Sequence, residues 1–425
     1  MKPHFWSRLP ILLIVALGAA FLFAACGSDE PSAPAPAAPE AQPAAPAAET
    51  AAAAPAAEAA AEPAAEPVAE PAAAGGETLK VGYGGALLGN LATYGLSDLY
   101  GLEFAVEQVN AAGGVLGRQI EIVPEDDGCD PALASTASEK LLSRGLKLIF
   151  GHTCSGATRS ALSVYGNNAL VISSSATDVS LTDDGAHPYF FRTTPRDDAQ
   201  SKLQVELVRN KGFKKIAVLH DKGDYGFSVA ELFKGFIEAD SSLDVEIVLF
   251  EGVTSGEVSY DEIVSLIRSK QAEAVVWGGL YNDASKLAIQ MRDKGVEAVV
   301  IGADGLYDQR FITMGGKAVE GSYATGQMDF SNSEAGKAAL ADHAKRHREE
   351  TGTYFFYAAG AAQALFAAIE KTGSVDDFDA LRKSLTENTV ETVMGPVRFD
   401  AKGDIIGAGF KLYQIENGGF KEVIF

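Results

Sequence analysis

Short runs of apolar residues alternate along this chain with longer segments whose apolar positions recur at helical spacing, from Leu79 to beyond Gly302. The short runs predict strands at Leu79 to Gly84, Gln119 to Glu125, Leu146 to Gly151, Leu170 to Ser174, Lys215 to His220, Val245 to Phe250, Ala274 to Trp277 and Val296 to Gly302. The segments between them predict helices, as at Ser97 to Ala111, where Leu102, Ala105, Val106 and Val109 share one face. Strict alternation implies parallel sheets covered by helices on both sides. Eight such units exceed what one open sheet usually holds. The polar break Thr193 to Asp198, which contains Pro195, therefore divides the pattern into two α/β halves. Helices are predicted again at Glu334 to Glu350, Tyr357 to Lys371 and Phe378 to Leu385. The stretch Gly395 to Phe425 reads as strands, with turns at Lys402-Gly403 and Asn417-Gly418.

In open α/β sheets ligands bind beyond the carboxyl ends of the strands. Here those ends carry the polar, glycine-rich pieces Gly82 to Asn90, Asp126 to Asp130, His152 to Gly156, Ser173 to Asp178, Asp221 to Tyr225, Gly278 to Asn282 and Gly302 to Gly305. Two halves facing each other at these ends would line one cleft. The stretch Leu146 to Leu162 combines a buried strand, a tight turn and a helix whose first N–H groups lack partners. Such a helix start attracts anions, and Ser155 adds a hydroxyl there. On its own, Ser155 also fits a plain helix cap.

The chain has 425 residues, 47% of them apolar, which is room for two or three domains with real cores. A formal charge of -22 argues against nucleic acid or anionic lipid as a partner. At the N-terminus, Lys2 and Arg8 precede an apolar run from Ile11 to Phe23, and Ala24 and Ala25 lead into Cys26. Residues 1–25 thus read as an export signal resembling that of bacterial lipoproteins, in which the cysteine becomes the lipidated first residue. Phe23 departs from the leucine usual at that place, and a non-lipidated cut would want a small residue there. Pro10 and the shortness of the run make it a poor membrane span. From Gly27 to Gly76 the sequence is almost wholly Ala, Pro and Glu, which predicts an extended acidic tether. Export bears on Cys129 and Cys154, each at the end of a predicted strand. Neighbouring parallel strands would let them form a disulfide, worth roughly 3.5 kcal/mol in the chain-entropy picture. A metal site would need more ligands than the nearby His152 supplies.

Taken in order, the runs NAAGGVLGRQIEIVPEDDGCDP, GHTCS, ISSSATDVSLT, HDKGDYG, GGLYND and IGADG closely resemble the branched-chain amino-acid binding proteins of bacterial ABC importers, from Thr78 to the C-terminus. The resemblance implies the type I periplasmic binding fold: two doubly wound parallel-sheet lobes joined by a three-strand hinge. It assigns 77–198 plus 327–392 to one lobe and 199–326 plus 393–425 to the other, with residues 26–76 as the lipidated cysteine and tether. It implies that Ser155 holds a ligand carboxylate. The backbone of Ala176 and the side chain of Thr177 would touch the amino and carboxylate groups. Asp304 takes the ammonium in place of the usual glutamate. Tyr94, Tyr225, Leu280 and Tyr281 would form the walls, and Cys129 would pair with Cys154. The partners it implies are a small amino acid, a membrane permease and, through Cys26, the membrane itself. The protein would be a monomer without cofactor or metal.

Relatives of such proteins bind amides, urea or aromatic acids, so a binding protein or sensor for one of those is the alternative. An enzyme is disfavoured. Gly82, Gly84 and Gly85 resemble a dinucleotide loop, but Leu87 stands where the third glycine belongs. Thr153 replaces the glycine that a nucleophile elbow needs two residues before Ser155. Thr177 as a turn cap and Asp304-Gly305 as an ordinary turn pair are the structural readings of those residues.

Overall fold

A computed structural model describes residues 77–346 and 350–425. The expected signal, lipidation site and tether lie outside the described residues. Five parallel strands, β1 (Leu79–Gly85), β2 (Ile120–Asp126), β3 (Leu148–Gly151), β4 (Leu170–Ser173) and β5 (Phe190–Arg192), form a sheet of order β2-β1-β3-β4-β5. A seven-stranded sheet follows, built from β6 (Lys215–His220), β7 (Glu246–Gly252), β8 (Ala274–Gly278), β9 (Val299–Gly302) and β10 (Tyr323–Gln327). After the small hairpin of β11 (Val390–Thr392) and β12 (Gly395–Val397), β13 (Phe410–Glu416) and β14 (Gly419–Val423) complete it in the order β14-β13-β10-β9-β8-β6-β7. Only its last two strands run antiparallel to their neighbours. Each sheet is buried between two helical layers, with separate apolar clusters on its two faces.

Three strands went unpredicted. β5 and β11 have three residues each, and β10 reads Tyr-Ala-Thr-Gly-Gln, too short or too polar to register as apolar runs. The helix predicted from Ser97 begins at Ala92, which places Tyr94 on its first turn. The helix predicted to reach Glu350 is described as Glu334–Arg346, and Glu350 lies outside it. The strand expected from Val296 pairs only from Val299.

The chain crosses between the sheets three times: after β5, after β10 and between Phe399 and Phe410. The last crossing differs from the expected boundary at residue 393. Val393, Met394, Val397 and Phe399 are buried in the same core as the helix Phe355–Thr372, on the five-stranded sheet, because that helix needs an apolar cover there.

Several local devices fix the loops at the strand ends. Gly151 has φ +101°, and a Cβ there would lie 2.0 Å from the carbonyl oxygen of Gly84, so only glycine lets β3 turn this close to β1. Asp130 caps the helix Pro131–Ser143 by accepting from the N–H groups of Ala132 and Leu133. Arg192, fully buried, pairs with Asp404 at 2.6 Å and donates to the carbonyls of Ala176 (3.2 Å) and Asp178 (2.7 Å). It thereby locks the turn after β4.

Candidate functional site

The carboxyl ends of both sheets face a shared cavity of about 330 Å³. Its walls include Ser155, Tyr94, Cys129 and Cys154 on one side and Tyr225, Leu280 and Asp304 on the other. Larger hollows of about 590 and 1150 Å³ are more open to solvent. Cys129 and Cys154 are disulfide-bonded, with Cα atoms 5.3 Å apart, and form part of the wall.

Ser155 is the first residue of the helix Ser155–Tyr165, whose capping position is Cys154. Its hydroxyl does not cap that helix. Instead Oγ accepts the N–H of Asp178 at 3.2 Å, which leaves the Ser155 proton available to an acceptor in the cavity, beside the unpartnered amides of the helix start. This end of the cavity is built to donate.

Asp304 occupies the other end, at the start of a short 3-10 turn after β9, and is 1% exposed. Its Oδ1 accepts from Gln200 Nε2 (2.9 Å) and Tyr225 Oη (2.7 Å), and its Oδ2 from Gln327 Nε2 (2.7 Å) and Tyr354 Oη (3.0 Å). Four neutral donors surround one carboxylate, none of them a cation. Two of them, Tyr225 and Tyr354, line the cavity, so a ligand cation can exchange with either for direct contact. Burial raises both phenols well above the ordinary tyrosine range, and the charge of Asp304 adds to it, so both remain donors. Gln200 also donates to Asp197 at 2.6 Å, linking two buried carboxyls. Burial, reinforced by the charge of Asp304, pushes the Asp197 carboxyl up to about 8.

The two sides are clasped around the cavity. Tyr94 Oη donates to the carbonyl of Gly305 (2.8 Å), and Tyr281 Oη to that of Asn90 (2.6 Å). Arg159, at the first turns of its helix, pairs with Asp178 on its own side and with Asp224 across the mouth at 2.7 Å. This arrangement is a closed one.

Three sequence-predicted residues do not reach the cavity wall. The N–H of Ala176 donates to Ser173 Oγ (3.0 Å) and its carbonyl is held by Arg192, so both of its backbone groups are engaged within the protein. Thr177 is buried, and its carbonyl accepts the N–H of Asp197 at 3.0 Å. Tyr281 serves the clasp, its ring 5.5 Å from that of Tyr94. The turn after β4 presents Ser175 to the cavity in their place. Sequence reading also missed Tyr354 on the wall and Gln200 and Gln327 behind Asp304, while Thr153 falls within the piece His152 to Gly156 expected to line the cleft. The signal for Tyr354 was faint: a tyrosine just ahead of an apolar helix reads as core.

Comparison with known proteins agrees with this architecture. The family profile described as "Periplasmic binding protein" matches residues 78–419. The Leucine-, isoleucine-, valine-, threonine-, and alanine-binding protein of Pseudomonas aeruginosa is 31% identical over 340 residues, covering 80% of this chain and 90% of its own. The Leu/Ile/Val-binding protein of Escherichia coli K12 is 29% identical, covering 81% and 92%. Among solved structures, the branched-chain amino acid transporter substrate binding protein LivJ of Streptococcus pneumoniae, in complex with isoleucine, superimposes with a TM-score of 0.72 at 26% identity, over 82% of this chain and 99% of that one. The leucine binding protein LivK of Thermotoga maritima shares the fold at 20% identity, with a TM-score of 0.74, covering 82% and 98%.

Proposed function

The chain belongs to the periplasmic binding protein family, and from that premise we propose that it is the extracytoplasmic binding subunit of an ABC importer, taking a branched-chain or other hydrophobic amino acid. The observation that carries this reading is the placement of Ser155 and Asp304 on opposite walls of one small cavity. A zwitterion needs a donor site and an acidic site a few ångströms apart. Ser155 and its helix start supply the first for the carboxylate. Asp304, with Tyr225 and Tyr354, supplies the second for the ammonium. Leu280, Tyr94 and the Cys129–Cys154 disulfide leave an apolar wall for the side chain.

Hydrogen bonds to charged groups contribute about 1.5 to 3 kcal/mol each. A few of these, with burial of an aliphatic side chain at about 1.5 to 3 kcal/mol, support micromolar binding near -8 kcal/mol after association entropy. A ligand touching both walls favours the closed clasp over an open state, and a permease that distinguishes the two receives only loaded protein. In this reading the protein is a monomer, held to the membrane by lipid on Cys26 through the Ala/Pro/Glu-rich stretch, and it carries out no catalysis.

The test is calorimetric titration against leucine, isoleucine, valine, acetamide and urea. Saturable heat with at least one of the amino acids is expected. Heat only with acetamide or urea overturns the amino-acid reading in favour of an amide binder.

A further inference from the structure

Asp197 and Asp304 are both sealed from solvent, and one side chain joins them. The amide Nε2 of Gln200 donates to Asp197 Oδ1 (2.6 Å) and to Asp304 Oδ1 (2.9 Å), so two buried carboxyls lie only two hydrogen bonds apart. Repulsion between like charges at such range keeps one member of a pair protonated. The two are unequally supported. Asp304 accepts from four donors, whereas Asp197 Oδ2 has no hydrogen-bond partner among the described residues. Ionising Asp197 would put a desolvated charge on that bare oxygen, so the proton of the pair belongs to Asp197. The titratable groups facing it are Asp304 on the turn after β9, Tyr225 on the helix Asp224–Ala239, and Asp178 after β4, itself paired with Arg159. Its chain neighbours Arg196 and Asp198 pair with each other at 3.4 Å, and Arg196 reaches on to Asp183 and Asp404, to which Arg192 is also committed.

Under the amino-acid reading, on which this inference rests, the ligand ammonium is the cation this cluster lacks. We propose that Asp197 and Asp304 hold one proton between them in the ligand-free protein, and that an ammonium reaching Asp304 expels it, so that binding an amino acid releases a proton from Asp197. The O–H bond of Asp197 breaks, its electron pair stays on the carboxylate and the proton passes to the buffer, while the ligand keeps its own ammonium protons. The ammonium cancels the charge of Asp304 that opposed ionisation. Asp197 then gains from its place on the first turn of the helix Asp197–Lys211, where a negative charge is favoured. Asp197 touches no ligand itself.

The sign of the pH effect follows. Burial, reinforced by the charge of Asp304, pushes the Asp197 carboxyl up to about 8 in the ligand-free protein, and the bound ammonium lowers it. A step that releases a proton becomes more favourable as pH rises. Affinity therefore climbs toward about pH 8 and levels off above it, where Asp197 is ionised before the ligand arrives. The uncharged amide acetamide brings no cation and releases no proton.

The experiment is calorimetric titration of the full chain with leucine, isoleucine and valine near pH 7, in phosphate and in Tris, two buffers of different ionisation enthalpy whose difference in heat counts the protons released. Between about half a proton and one proton per bound amino acid is expected, with affinity rising by up to about tenfold per pH unit from about pH 6 to about pH 8. Asp197→Asn is expected to bind without releasing a proton, at every pH with roughly the affinity of wild type near pH 6. Should that variant fail to fold, infrared difference spectra of wild type with and without the amino acid decide the matter. Loss of the carbonyl band of a protonated carboxyl on binding is expected, and its persistence overturns the inference. Binding without proton release, or release unchanged in Asp197→Asn, also overturns it and leaves the amino-acid reading standing. Binding of none of leucine, isoleucine and valine overturns both.

Discussion

The loops of the five-stranded sheet and those of the seven-stranded sheet meet the cavity at the same place in their respective folds, yet they bring different chemistry. The first wall is made of small hydroxyls, Thr153, Ser155 and Ser175, with the start of a helix among them and a buried acid, Asp98, behind. The second holds a deeply buried carboxylate, Asp304, with Gln200 and Gln327 packed behind it and Tyr225 beside the cavity. Many modest contacts on one side face a carboxylate held by four neutral donors on the other. Losing one hydroxyl should leave the first wall working, whereas losing Asp304 leaves the donors of the second without an acceptor.

The largest break in this comparison is Asp304→Ala. Four donors would lose their acceptor, and we expect amino-acid binding to weaken by roughly 100-fold or more, together with a stability loss on the order of 2 kcal/mol, from the cost of stranded buried donors. Titration calorimetry and denaturant unfolding measure the two separately; near-normal affinity would show that the acidic wall is not the cation site. Ser155→Ala removes one donor while the helix start remains, so a loss of roughly tenfold with little change in unfolding midpoint is expected. A loss as large as that from Asp304→Ala would mean that the two walls do not differ in the way described.

The smallest effect sharpens the comparison through pH. The carboxyl of Asp197 has its folded value raised to about 8, so its contribution to stability is full below the unfolded value near 4 and is lost as pH rises through 8. Asp197→Asn should therefore raise the melting temperature relative to wild type by more at about pH 9 than at about pH 5. A uniform shift at both pH values would remove Asp197 from the electrostatics around Asp304.

Much of the fold was visible in the chain because strands buried on both faces are continuous apolar runs, and helices between them keep their own period. β5 and β10 escaped for a physical reason. They are held by neighbours and by Arg192 and Gln200 rather than by an apolar run of their own. The ends of the site, Ser155 and Asp304, lie on polar pieces that the pattern puts at strand ends, and the family resemblance gave them their roles. The buried polar groups behind the two walls were not readable. Asp98 lies inside a helix and Gln200 inside another, and nothing in a linear pattern separates a buried polar residue with an assigned task from one facing water. Ala176 and Thr177 were expected at the ligand from the family resemblance. Arg192 donates to the carbonyl of Ala176 and the N–H of Asp197 to that of Thr177, and the turn after β4 offers Ser175 to the cavity.

The triple crossing between the sheets bears on how this chain is made. A ribosome delivers β6 to β10 long before β13 and β14, yet β10 forms its outer pairing only with β13, near the far end of the polypeptide. Until Phe410 and the residues after it emerge, β10 is an open edge, and open edges recruit other chains. A product cut short before Phe410 would keep the five-stranded half, and with it most of the hydroxyl wall, while exposing an adhesive border on the other. Late truncation is thus expected to yield aggregates rather than a weakened binder.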